Sequence, residues 1–194
     1  MKNVLITGGA GFIGTNFIRY LLGKESGVKI VNLDSLTYAG NLDNLADLPE
    51  QDRYQFIRAD ICDGDLVADL LRKYQINLVV HFAAETHVDR SILYPEIFHQ
   101  TNFIGTLTLL EAFRKYYLTL DESCRNDLHF HHISTDEIFG SLDREGEPFS
   151  AYCQQPGRPC HAEQDAASPG PTDRHLFPTL RRHGCIQLPA FSYV

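Results

Sequence analysis

The 194-residue sequence has no tryptophan, one methionine and five cysteines, none spaced as Cys-x-x-Cys. An odd cysteine count without that pairing fits reduced cytosolic thiols better than a disulfide framework and implies no redox or zinc motif. No apolar run reaches the ~18 residues of a membrane span. Positive charge is scarce, with 17 Lys+Arg against 25 Asp+Glu and a formal net charge of −8. Nucleic acid and anionic membrane are held by clustered cations, so both are excluded as non-specific partners. Any phosphate must be gripped locally. After Lys2 only four apolar or small residues, Val4 to Thr7, precede a glycine cluster, too few for the apolar region of a secretory signal, so the expected location is cytoplasmic. No internal repeat is visible. With 43% hydrophobic and 22% charged residues the chain reads as soluble and globular, one domain or a domain and a fraction at roughly 100–200 residues each.

Short apolar, β-branched runs alternate with stretches of helical period from the start to about Phe149, the pattern of βαβ units. Lys2–Thr7, Val28–Leu33, Tyr54–Arg58, Leu78–Phe82 and Leu128–Ser134 are the expected strands. Phe12–Leu22, Gly64–Tyr74 and Pro95–Tyr117 are the expected helices, with Pro95 suited to a first turn. The expected fold class is α/β, a doubly wound parallel sheet of Rossmann type over 1–149. Residues 150–194 differ in character, holding six of the nine prolines, three of the five cysteines and no lysine. Those prolines forbid any long helix, so this tail is expected to be irregular. The abrupt change suggests a tail translated out of frame.

After the first strand comes Gly8-Gly9-Ala10-Gly11-Phe12-Ile13-Gly14, which satisfies both Gly-x-Gly-x-x-Gly and Gly-x-x-Gly-x-x-Gly. Set between strand and helix, glycines there make a tight turn, admit a pyrophosphate to the backbone and let the helix pack closely. The helix start then offers amides and a positive dipole end to phosphate. Asp34 ends the second strand, twenty residues past Gly14, where a carboxylate accepts from an adenosine ribose diol. It repels a 2′-phosphate, and Ser35-Leu36-Thr37 brings no arginine, so NAD is expected over NADP. The plainer alternative is a glycine turn beside a loop-capping aspartate. Asp60-Ile61 follows the third strand and has two readings, adenine contact or a helix N-cap before Gly64.

The fourth strand runs into His81-Phe82-Ala83-Ala84-Glu85-Thr86-His87-Val88-Asp89-Arg90-Ser91, read as a loop at the ligand edge of the sheet. The fifth ends in Ser134-Thr135-Asp136-Glu137. Adjacent carboxylates in a partly desolvated site oppose each other's ionisation, so Asp136 and Glu137 can divide acid and base roles; a solvated turn is the alternative. His129, His131 and His132 alternate across a strand and suit packing better than a shared metal. Cys160-His161, His175, His183 and Cys185 lack zinc spacing, and no metal is expected.

Gly8 to Gly14, Asp34 to Leu42, Ala59 to Asp63, Ala83 to Ser91 and His131 to Glu137 together resemble the dTDP-glucose 4,6-dehydratases of the extended short-chain dehydrogenase/reductase superfamily. The resemblance covers residues 1 to about 149. It implies an NAD-dependent lyase of deoxysugar biosynthesis that removes hydride from C4 of a nucleotide sugar, expels water across C5 and C6, and returns hydride to C6. A 4-keto-6-deoxy sugar results. By resemblance Asp136 protonates the departing C6 hydroxyl, Glu137 takes the C5 proton and Thr135 holds the C4 hydroxyl. Thr37 and Tyr38 lie near the adenosine; Phe82, Ala83, Ala84, Glu85, Thr86 and Thr101 line the cofactor site; Thr86 and His87 touch substrate. A homodimer through the long helices is implied as well. The family also has a tyrosine followed four residues later by lysine. Here Tyr152 is followed by Pro156, and Tyr20 with Lys24 has the spacing inside the first expected helix, where amphipathicity explains it. An NAD-binding chain without turnover is therefore an alternative, and a nucleotide-sugar epimerase a weaker one, because epimerases of this group usually lack the acidic pair.

Overall fold

The computed structural model describes residues 2–48 and 51–135. Five strands form one parallel sheet: β1 (Lys2–Thr7), β2 (Val28–Asp34), β3 (Tyr54–Arg58), β4 (Leu78–His81) and β5 (His129–His132). Their spatial order is β3-β2-β1-β4-β5. The sheet grows outward from β1 in both directions, so connections leave β1 and β4 on opposite sides of the β1/β4 boundary.

Side-chain alternation explains the two-faced core. On one face Leu5, Val31, Leu33 and Val79 pack against Val67, Leu70 and Leu71 of α2 (Gly64–Lys73), and against Leu109 and Phe113 of the long helix after β4. On the other, Val4, Ile6, Ile30 and Val80 meet Ile18 and Leu22 of α1 (Phe12–Lys24). Neighbouring strand residues such as Val4 and Leu5 thus serve opposite cores, as a parallel sheet covered on both sides requires. Buried Arg53 donates to the carbonyls of Leu22, Glu25 and Val28, closing the α1–β2 connection.

All five expected strands are present, with small changes at their ends. β2 runs on to Asp34, and β4 stops at His81 before Phe82. β5 covers only His129–His132 because its neighbour β4 offers four pairing residues. The single helix expected over Pro95–Tyr117 is instead α4 (Pro95–Phe98), a π-helical stretch (His99–Gly105) and α5 (Thr106–Thr119) on one continuous path. A period near 3.6 does not reveal the extra residue per turn of a π segment. Within the expected loop 83–91 the chain forms a short helix, α3 (Val88–Leu93), which buries none of its residues and so leaves no core-facing stripe in the sequence. A four-residue helix, α6 (Glu122–Arg125), precedes β5. Asp60 is not a helix N-cap: Asp63 caps α2 through Leu66 N at 3.0 Å, whereas Asp60 Oδ1 accepts from Cys62 N at 2.8 Å. The expected irregular tail, its boundary near 149, and Asp136 and Glu137 lie outside the described residues.

Leu5 sits fully buried in the central strand. Leu5→Ala is expected to lower unfolding free energy by about 2–5 kcal/mol in urea titration, through lost burial and the cavity left behind.

Candidate functional site

At the carboxyl end of β1 the chain turns at Gly8, whose φ of +71° falls in the region that favours glycine. A Cβ on Gly8 would lie 2.6 Å from Ala83 N, so the turn rests on the backbone that follows β4. At Gly14 a Cβ would stand 2.6 Å from Gly9 Cα, which is why α1 packs so tightly under the turn. Gly9 N donates to Asn32 Oδ1 at 3.1 Å and Ala10 N to Asp34 Oδ2 at 2.9 Å. Gly11 is the N-cap of α1 and supplies no side-chain acceptor, and the first helical turn, with exposed Phe12 and Ile13, contains no acid. The positive end of α1 therefore keeps its amides for an outside acceptor.

Asp34 is buried, and its second oxygen, Oδ1, accepts from Leu36 N at 2.8 Å. Leu36 has φ 56°, a left-handed conformation costing a non-glycine residue roughly 1–2 kcal/mol, which the Asp34 bond offsets. Asn41 N donates to Ala10 O at 2.9 Å, so the loop holding exposed Ser35 and Thr37 is stitched to the glycine turn at both ends. Each carboxylate oxygen has a further lone pair, leaving Asp34 able to accept from a diol. Asp60 follows the neighbouring strand β3 and is exposed, whereas Ile61 is buried in the core.

On the far side of β1, His81 ends β4 at 1% exposure. Its Nδ1 lies 2.6 Å from Thr7 Oγ1, its Nε2 2.9 Å from Thr106 Oγ1, and its ring 5.0 Å from that of His132. Burial, and secondarily His132, pushes the His81 pKa down to about 3, so the ring is neutral. Beyond it Phe82 packs on Phe17, and the backbone of Glu85 is held twice by one side chain: Glu85 N donates to Asn102 Oδ1 at 2.8 Å and Asn102 Nδ2 donates to Glu85 O at 2.9 Å. Asn102 and Thr101 both lie in the π stretch. The Glu85 side chain is buried, with no partner for Oε2 among the described residues. Ala84, Thr86 and His87 are exposed beside it. Thr135 follows β5, and Ile133 N, two residues earlier, donates to His81 O at 3.1 Å.

The expected residues thus fall along one edge of the sheet in strand order: Asp60 and Asp34, the glycine turn, then Phe82 to His87, then Thr135. A long ligand with phosphates in its middle matches that line, because the β1/β4 boundary is the switch point where open α/β sheets bind ligands. A shallow hollow lined by Asn3, Lys29, Lys73 and Tyr74 lies instead by the amino ends of β1 and β2. No group of three His, Cys, Asp or Glu suited to a metal occurs among the described residues.

A sequence model of the GDP-mannose 4,6 dehydratase family matches residues 5–156. The chain belongs to that family. It is 50% identical over 144 residues to the dTDP-glucose 4,6-dehydratase of Salmonella typhimurium, covering 74% of this chain and 40% of the relative. Among solved structures it resembles the Streptomyces venezuelae dTDP-glucose 4,6-dehydratase DesIV with NAD and TYD bound (38% identity, TM-score 0.69, 84% of this chain and 48% of that one). It also resembles a Brucella ovis UDP-glucose 4-epimerase in complex with NAD (28%, TM-score 0.60, 75% and 39%). The chain spans about 40–52% of the length of the curated relatives it matches.

Sequence reading did not single out Asn32, Thr7, Asn102 or Thr106, the residues that hold this dehydratase-family site in shape. Asn32 left a trace, a polar residue inside the apolar run Val28–Leu33. Asn102 left none, since a polar residue in a helical stretch is ordinary.

The neutral His81 gives a pH signature. Unfolded histidine binds a proton below about 6.5, whereas His81 in the fold does so only near pH 3, so the unfolded state holds the extra proton in between. Stability should fall as pH drops from about 6.5 towards 3, by at most ~1.4 kcal/mol per unit from this group. Chemical denaturation across that range should show a shallower dependence for His81→Asn than for the parent.

Proposed function

We propose that this chain is the NAD-binding part of a dTDP-glucose 4,6-dehydratase and acts on a nucleotide sugar. The observation that carries the reading is the turn at the β1/β4 boundary, where Gly8 and Gly14 let the backbone after β1 pack directly on the Ala83 backbone and on the start of α1, and Asp34 fixes the Ala10 amide beside it. These residues fit NAD: α1 amides would face its phosphates, Asp34 would take its ribose diol, and Ser35, Leu36, Thr37 and Asp60 would surround its adenosine, while the Ile61 side chain stays in the core. Phe82, Ala83, Ala84, Glu85, Thr86 and Thr101 line the nicotinamide half. When bound, the dinucleotide supplies reversible hydride acceptance and ends unchanged.

The chain's own residues contribute the proton chemistry. Thr135 holds the C4 hydroxyl, Asp136 donates a proton to the leaving C6 hydroxyl, and Glu137 removes the C5 proton, so one water departs. Thr86 and His87 contact the sugar. Two adjacent carboxylates suit this division, since ionisation of one raises the proton affinity of the other. The protein is read as cytoplasmic; no helix among the described residues is long and apolar enough to cross a membrane. Exposed Ile92, Leu93, Leu107 and Leu118 support pairing of two copies through the helices after β4.

A second reading, NAD binding without turnover, is favoured by Pro156 standing where a Tyr-x-x-x-Lys pair counted from Tyr152 needs lysine. Calorimetric titration with NAD and NADP tests the first half of the proposal: NAD should bind more tightly, and Asp34→Ala should weaken it about 10–100-fold, the worth of hydrogen bonds to a charged group, while narrowing the preference over NADP. Incubation with dTDP-glucose tests the second. Mass-detected loss of one water supports the dehydratase, binding alone supports the second reading, and failure of NAD to bind overturns both.

A further inference from the structure

The loop after β2 and the helix after β4 come from opposite sides of the glycine turn, yet they touch. The guanidinium of Arg90, on α3, lies over the ring of Tyr38 with Cζ 4.2 Å from the centroid, well within cation–π range. The other two such contacts among the described residues, Lys73 with Tyr74 and Arg125 with Tyr117, join near neighbours in sequence. The Tyr38–Arg90 contact alone of the three joins distant segments. Both sides are arranged to meet. The Tyr38 loop is anchored at its base by Asp34 to Leu36 N and by Asn41 N to Ala10 O, and Gly40 N donates to Thr37 O at 3.1 Å to close the turn that carries the ring. α3 buries none of its own residues, so packing beneath it does not account for its position. Tyr38 is 55% exposed and Arg90 only partly so, which leaves the pair free to part.

We propose that Tyr38 and Arg90 form a strap across the dinucleotide site, positioning residues that slow cofactor release by tying the adenosine-side loop to the nicotinamide-side helix over the glycine turn. The proposal rests on the NAD reading above. On this proposal a dinucleotide bound between the Asp34 loop and the segment after β4 would leave only once the ring and the guanidinium separate. The contact is electrostatic, between a cation and the negative face of a ring, and depends on the ring rather than the phenol hydroxyl. Tyr38→Phe and Arg90→Lys therefore retain it, whereas Tyr38→Leu and Arg90→Ala do not.

The test is a double-mutant cycle on the full chain with two readouts. Release of prebound NADH, followed by its own fluorescence after a chase with excess NAD, should quicken about 2–5-fold in Arg90→Ala and in Tyr38→Leu, the range expected of an exposed cation–π pair. The double variant should be no faster than the quicker single one, and Tyr38→Phe and Arg90→Lys should stay near the parent. Hydrogen exchange at the amides of Leu36, Gly40 and Asn41 in ligand-free protein should quicken in the same variants. Additive or absent effects on release, with NADH bound, overturn the strap and leave the NAD reading standing. If the parent chain does not bind NADH the NAD reading fails, and the strap's role in release falls with it; exchange at Leu36, Gly40 and Asn41 then decides whether the contact itself exists.

Discussion

Close approach of two backbones at the β1/β4 boundary governs the arrangement of this molecule. Gly8 rests where a Cβ would meet Ala83 N at 2.6 Å, so the turn that leads into α1 and the segment that leaves β4 share one surface. With any side chain at Gly8 the two would part and the line of residues along the sheet edge would break in the middle. The parallel sheet brings the two strand ends level, through Thr7 paired with His81, and the glycine lets the segments leaving those ends touch.

Around that contact the protein uses polar side chains as rigid spacers. Asn32 and Asp34, at the end of β2, fix the amides of Gly9 and Ala10, and His81 bridges Thr7 of β1 to Thr106 of α5. Asn102 stands in for a strand partner to Glu85, accepting from its amide and donating to its carbonyl. Buried polar groups left unpaired cost far more than paired ones gain, so each of these residues fixes geometry more than it adds stability. The π stretch serves the same end, since widening the helix before Thr106 carries Asn102 and Thr106 on one path to two different partners.

Membership in the GDP-mannose 4,6-dehydratase family and likeness to both dehydratases and epimerases sit well with this division of labour. The edge built from the ends of β1, β2 and β4 lies within the span that the family model matches.

Local pattern determined a great deal of this protein. Short apolar runs located all five strands, the glycine turn announced itself by spacing, and Asp34 stood where the second strand had to end. Those features depend on neighbours in sequence, through backbone propensity and side-chain period, and a linear reading captures them. The strand order, the split of Pro95–Thr119 into α, π and α segments, the unburied helix α3 and the His81 network depend on partners far away in the chain. Thr7 and Thr106 gain meaning only when folding brings His81 between them, and Tyr38 meets Arg90 only because β2 and β4 flank the same strand. Long-range burial and hydrogen bonding decided those, and no local period encodes them.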